Sequence, residues 1–323
     1  MKSSLLSRRQ VLSLLPLAAA PTLALADSKP VEWVVGYAPG GGSDTVARML
    51  AEAMGKSMGQ SFIVTNKPGA GSNIAADYVA KARDPEHTVF TADSAVIAAN
   101  PFLYSKLAYN AEKDFAPVGT IARFPLVLVV NPNAQPKNLR EFMAWVRSDP
   151  KGMGYGSPGT GSPHHLATEL FRQQTGLNLT HVPYRGAAPA IADVIGGQLP
   201  FMFVDTSSGG SFITSGKVRA IGVANAGRLA TMPDIPTLAE QGLPGFEASA
   251  WQALVAPAGI GAATVKTLNK HLVDALNSTE VRARMQVLGI EPLPGTPDEL
   301  ARFAAAERTR WGRVVREANI RLD

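Results

Sequence analysis

Short apolar runs rich in β-branched and aromatic residues alternate along this chain with stretches whose apolar positions recur every three or four residues. Runs of the first kind open at Val31 and occupy 62–65, 89–92, 126–130, 153–156, 179–183, 200–204, 218–223 and 251–255, the lengths and compositions of buried strands. Helical patterns lie between most of them. After Ser43, a good capping residue, Val46, Met49, Leu50, Ala53 and Met54 make one apolar stripe that Gly59 ends. Ser72 is placed to cap a second helix, Asn138 with Glu141 opens 139–147, and Ser162-Pro163 opens a helix carrying Leu166, Leu170 and Phe171. Thr296-Pro297-Asp298-Glu299 supplies cap, helix-starting proline and capping-box glutamate for a last helix running to about Asn319. Strands and helices in alternation predict α/β layers around parallel sheet.

The runs 126–130 and 218–223 bracket a middle segment with its own strands and helices, and they read as crossings between two lobes. No low-complexity linker or fixed-period repeat interrupts the chain, so interleaved lobes are expected rather than tandem domains.

Residues 1–26 read as an export signal: Lys2, Arg8 and Arg9 precede an apolar stretch that ends in Ala24-Leu25-Ala26, a small-x-small cleavage pattern. The apolar run, 11–26, is too short for a spanning helix and carries Pro16 and Pro21. Ser7-Arg8-Arg9-Gln10-Val11-Leu12 is similar to the twin-arginine motif, with Val11 where that motif prefers Phe, so either export route fits. Cleavage removes three positive charges and no acid, which lowers the net charge from +5 to +2, too weak and dispersed for a nucleic-acid partner. The chain has no cysteine, which excludes disulfides, thiolate metal sites, a cysteine nucleophile and a lipid-modified cysteine. A freely soluble protein outside the cytoplasm is expected.

Two glycine-rich loops carry the candidate chemistry. The first, Tyr37-Ala38-Pro39-Gly40-Gly41-Gly42-Ser43-Asp44, sits between a strand and a helix start, where bare backbone N–H groups suit a small anion. The second, 154–165, frees backbone at Gly156, Gly159 and Gly161 and supplies hydroxyls at Ser157, Thr160 and Ser162. Placed on opposite lobes, the loops hold a ligand's carboxylate by N–H and O–H groups, with closure of the cleft coupled to binding. Neither loop matches a dinucleotide fingerprint or a Walker sequence.

An exported serine hydrolase using Ser157 or Ser162 with a nearby histidine is the rival reading, since Ser157, Ser162, His164, His165 and Asp205 include the residue types of a triad. The one G-x-S-x-G match, 55–59, lies at a helix tail where a nucleophile elbow needs a strand-to-helix turn. His165 with Glu169 is the only i, i+4 pair able to share a metal, and a hydrogen-bonded or exposed first-turn role suits both histidines better; no metal is assigned. Asp205 and Thr206 follow a strand at a position that serves a pocket or, for Asp205, a helix cap. Arg185 reads as a solvated loop residue, and Trp33 and Trp251 as core or hinge packing.

The chain resembles the extracytoplasmic solute receptors of tripartite tricarboxylate transporters, the Bug receptors. The resemblance runs through YAPGGGSD at 37–44, NKPGAG at 66–71, KDFAPV at 113–118, GSPGTGS at 156–162, VPYRG at 182–186, GGQ at 196–198 and PTLAEQG at 236–242. Departures are DPEHT at 84–88, on an expected outer turn, and Gly36 where the family frequently has Pro. The resemblance implies a type II periplasmic-binding-protein fold: two α/β lobes joined by crossing strands, with a ligand cleft between them. Lobe 1 is assigned to 27–123 and 225–323, and lobe 2 to 124–224. It also implies a non-enzymatic, monomeric periplasmic receptor without cofactor, which hands a small mono-, di- or tricarboxylate, acidic amino acid or aromatic acid to membrane transporter subunits. A related receptor serving a sensor kinase is a further reading. By motif the ligand residues are Tyr37, Ala38, Pro39, Gly41 and Ser43 on one side and Ser157, Thr160, Gly161 and Ser162 on the other, with Ser94, Asp205 and Thr206 completing the pocket.

Overall fold

The computed structural model describes residues 29–322, so the expected signal at 1–26 lies outside the described residues. Ten strands form one curled sheet: β1 (Val31–Val35), β2 (Phe62–Asn66), β3 (Thr88–Asp93), β4 (Phe115–Val130), β5 (Met153–Ser157), β6 (Leu179–Pro183), β7 (Phe201–Asp205), β8 (Arg219–Val223), β9 (Ser249–Pro257) and β10 (Glu291–Pro292). Helices α1 (Gly42–Met58), α2 (Asn73–Ala80), α3 (Asn100–Leu103), α4 (Leu139–Arg147), α5 (Pro163–Thr175), α6 (Ala187–Gly196), α7 (Thr206–Thr214), α8 (Ala262–Asn277), α9 (Thr279–Val287) and α10 (Pro297–Glu317) cover its faces. The strand order β2-β1-β3-β9-β4-β7-β5-β6 places a parallel trio at each end, with antiparallel β9 and β4 between them. Both faces of the trios are covered, which is why β1 is apolar rather than alternating. Val31, Trp33 and Val35 pack into the cluster with α1, while Val34 packs into the cluster with α2.

The two halves meet along β4. Its first part pairs with β9 as far as Pro125, and from Leu126 onward it pairs with β7. Pro125, which has no N–H to donate, stands where the ladder changes partners. The expected crossing at 126–130 is therefore the far part of a longer strand. The other expected crossing, 218–223, is corrected: β8 pairs with β4 inside the second half. The chain stays there past the expected boundary at 225. Leu238 N–H donates to Val223 O (2.9 Å), Leu229 and Met232 share a core with β7, and Phe246 packs on Phe203 at 5.9 Å. It returns to the first half as β9, where Ser249 pairs with Pro125.

Local chemistry explains most element ends. Asn138, Ser162, Asp205, Ser278 and Thr296 each accept from a first-turn N–H, Thr296 in a full capping box, and Gly59 ends α1 with φ 62°. Two expected caps differ. Gly41, not Ser43, is the N-cap of α1 and no side chain bonds its turn, while Ser72 occupies the N-cap of α2 but leaves its hydroxyl unbonded. That hydroxyl explains Gly36: a Cβ on residue 36 would lie 1.5 Å from Ser72 Oγ. Among the described residues no helix is long and apolar enough to cross a membrane.

Candidate functional site

The C-terminal ends of β1, β3, β5 and β7 carry the loops that face each other across a cleft of about 520 Å³ between the halves. That volume suits a small molecule. Of the expected ligand residues, Tyr37, Ser43, Ser94, Thr160, Gly161, Ser162 and Asp205 line it. Ala38, Pro39, Gly41, Ser157 and Thr206 do not. The first three stand exposed outside the cleft wall, Ser157 is fully buried beneath it, and the Thr206 hydroxyl donates to Gly289 O, tying α7 to the loop before β10.

The first loop is folded back by Asp44, a residue not singled out by its type. Its carboxylate accepts from Gly40 N–H (2.9 Å), Arg48 Nε (3.0 Å) and Asn66 Nδ2 (2.9 Å), and Asn66 also donates to Tyr37 O (2.9 Å). Burial works to raise the Asp44 pKa, but these donors outweigh it and hold the group below its ordinary value. The start of α1, lined on the cleft side by Gly42 and Ser43, has no side-chain cap. Its first N–H groups face outward without an intrahelical partner.

The second loop is closed on itself. Ser157 Oγ lies 3.0 Å from Gly159 O and 2.7 Å from His181 Nε2, Ser162 N–H donates to Gly159 O (3.2 Å), and Ser162 Oγ accepts from His165 N–H (3.3 Å). His165 Nδ1 accepts from Gly161 N–H (3.0 Å), and its ring stacks on His181 at 3.8 Å. Burial, then the neighbouring His181, lowers the His165 pKa to about 3, so the ring stays neutral; His181 is also held below its ordinary range, mainly by burial. His165 and Glu169 do not form a metal pair, because Glu169 takes Tyr155 Oη (2.6 Å) and Arg172 Nε (2.8 Å). Among the described residues no group of three or more His, Asp or Glu is placed to hold a metal.

Asp205 does both jobs left open by the sequence. It lines the cleft and caps α7, accepting from Ser208 N–H (2.9 Å), from the Ser207 and Ser208 hydroxyls, and from His164 Nε2 (3.1 Å). Burial pushes its pKa up, but His164 and the serines outweigh this and hold the carboxyl well below the usual range. Opposite it stands Asp93, which accepts from the Tyr37 hydroxyl and from Val96 N–H (2.9 Å). Here burial wins and raises the Asp93 pKa. Tyr37 as a residue remains 39% exposed, yet its hydroxyl is withdrawn against Asp93, and desolvation followed by that carboxylate raises its pKa well above normal.

Asp93 and Gln252 were not picked out from the sequence, although each is a polar residue in a buried apolar strand, the signal that marks it. Gln252 Nε2 donates to Ser43 Oγ. Among the described residues, three buried polar atoms on the cleft lining have no partner: Ser94 Oγ, Gln252 Oε1 and His164 Nδ1. Among the described residues no Lys or Arg lines the cleft.

For the hydrolase reading, the nearest serine–histidine contact is Ser157 with His181, and Ser157 is sealed from the cleft. Ser162 is occupied as a helix cap, and Ser57 of the G-x-S-x-G match sits within α1, 2.9 Å from His271 Nδ1. The Ser157 hydroxyl is therefore not presented to the cleft. Two parallel α/β halves joined by antiparallel strands, with strand ends opening on a cleft between them, define a solute receptor of the periplasmic-binding-protein fold.

Residues 46–320 match the family described as tripartite tricarboxylate transporter family receptor, and the chain belongs to that family. Protein BugT of Bordetella pertussis is 35% identical over 306 residues, spanning 94% of this chain and 94% of that protein. The solved structure of R. palustris Rpa4515 with adipate has a TM-score of 0.82 at 33% identity, covering 91% of this chain and 99% of that one. MatC from Rhodopseudomonas palustris with bound malate has a TM-score of 0.76 at 34% identity, covering 88% and 98%. The fold and the family together make this protein a solute-binding receptor, and they do not support the serine hydrolase.

Proposed function

We propose that the cleft captures a small carboxylate-bearing acid without chemical change, and that the two halves close over it before delivery to the membrane subunits of a tripartite transporter. The division of labour follows the change of partner strand at 125/126 within β4 and the return at 248/249, so that 29–125 with 249–322 moves against 126–248. The observation that carries the reading is the uncapped start of α1 facing a cleft that, among the described residues, no Lys or Arg lines. A carboxylate there meets backbone N–H groups and the favourable end of the helix dipole, with Ser43 and Thr160 hydroxyls beside it. Adipate and malate in the related receptors are acids of this size class. On this reading 1–26 is a cleaved export signal, and the mature receptor works as a monomer in the periplasm.

A thermal-shift screen against mono-, di- and tricarboxylates tests this reading. One acid at about 100 times its Kd stabilises the protein by about 2.7 kcal/mol and is recovered unaltered. A flat response to every acid, or conversion of the bound acid, overturns the proposal.

A further inference from the structure

His164, the second residue of α5, lines the cleft and is 7% exposed. Its Nε2 lies 3.1 Å from Asp205 Oδ2, while its Nδ1 is buried with no hydrogen-bond partner. A buried polar atom of this kind is costly unless something supplies a partner, and on this wall the contents of the cleft are what can. Among the described residues that line the cleft there is no Lys or Arg, and His164 is the one imidazole.

The proton between the two groups sits on Nε2, because ionised Asp205 can only accept. In the neutral ring Nδ1 is then a lone pair, and in the cation it is an N–H. A ligand carboxylate offers only lone pairs, so it is repelled by the first form and bound by the second.

We propose that His164 is a ligand-binding residue that takes the acid's carboxylate on Nδ1–H as an imidazolium, so that each acid is captured together with one proton. This rests on the carboxylate reading above. One proton moves from solvent to Nδ1 as the acid enters, and the line Asp205, His164, ligand then alternates negative, positive, negative. The surroundings leave this charge to Asp205 alone. On α5, Glu169 and Arg172 pair with each other and His165 faces Gly161 N–H; from α10, Glu307 is held by Trp251 Nε1 (2.9 Å) and Trp311 Nε1 (2.8 Å), with Arg310 beside it. Tyr155 of β5 donates to Glu169, His181 of β6 faces Ser157, and across the cleft Asp93 is engaged by Tyr37.

Isothermal titration calorimetry with malate and adipate, from about pH 6.5 to 8.5 and in buffers of different ionisation enthalpy, tests this above the ligands' own carboxylate range. In the unaltered protein, Kd is expected to rise toward tenfold per pH unit in the upper part of the window, with up to one proton taken up per acid. His164→Asn should bind about tenfold more weakly at the low end and lose the slope; its circular dichroism and melting point report whether it folds, and the unaltered protein's proton count needs no variant. Binding with no proton uptake, proton release instead of uptake, or an unchanged slope in His164→Asn each overturns the inference alone. Failure of these acids and of every carboxylate in the screen overturns the receptor reading, and this inference with it.

Discussion

The two glycine-rich loops look alike in sequence, each following a strand, opening a helix and combining Gly, Pro and Ser. In three dimensions they differ in where their hydrogen bonds go. The loop at 154–165 uses its own groups, with Ser162 capping α5 and Gly161 N–H received by His165. The loop at 37–44 is pulled back by Asp44 and Asn66 and leaves the start of α1 uncapped. A loop satisfied from within is a wall, and one with open N–H groups has donors to offer an anion.

The largest expected effect breaks the second loop through its neutral imidazole. His165 titrates at about 3 in the folded chain and near 6.5 in the unfolded one, so between these values the unfolded state binds a proton that the folded state refuses. Stability therefore falls as pH drops from about 6.5 toward 3, by up to about 1.4 kcal/mol per pH unit. Urea midpoints across this range should show that loss in the unaltered protein and a slope smaller by one proton in His165→Asn. An equal slope in both would remove His165 from the account.

Next in size is a conversion of the first loop into the second kind. Gly41→Asp supplies α1 with its own carboxylate cap at a position with φ −77° and ψ 169°, where an added Cβ comes no closer than 3.7 Å to Ala38 O. The melting point should hold or rise slightly, while affinity for the bound acid falls about 10- to 100-fold, the size of a lost charge-assisted contact plus like-charge repulsion. Unchanged affinity would show that the α1 start is not where the acid binds.

Gly161→Ala is expected to cost about 1–2 kcal/mol, because φ is +78° and the new Cβ would sit 2.9 Å from the Leu103 and Leu322 side chains. Ser162→Ala should cost about 1 kcal/mol through the lost cap, seen as a lower urea midpoint. If either changed ligand affinity more than stability, the second loop would be more than a wall.

Much of the architecture was legible because it rests on local rules. Val46, Met49, Leu50 and Met54 announce α1, Gly59 ends it, and Thr296 with Glu299 opens α10. The N-terminal part of β4 was not, since Ala116, Pro117, Gly119 and Arg123 break the apolar run, and it is a strand because β9 pairs along it. The return of the chain was misplaced for a similar reason: 225–248 carries little regular structure and is fixed by packing on β7 and β8. Of the residues that line the cleft, Ser43 and Thr160 were readable from loop chemistry and Tyr37 from the family resemblance. Asp93 and Gln252 were hidden, because a polar residue inside a buried strand has a meaning only when its partner across the fold is known.

By itself the sequence determined the alternation of strand and helix, the glycine loops at strand ends and the absence of thiol chemistry, all of which follow from periodicity, backbone freedom and composition. Only the tertiary structure decided which loop keeps its N–H groups free, that Ser157 is sealed behind the wall, and that His164 stands against Asp205 with one nitrogen unmatched. Hydrogen-bond donors and acceptors are written in the residues, but whether each is already satisfied depends on neighbours brought from distant parts of the chain.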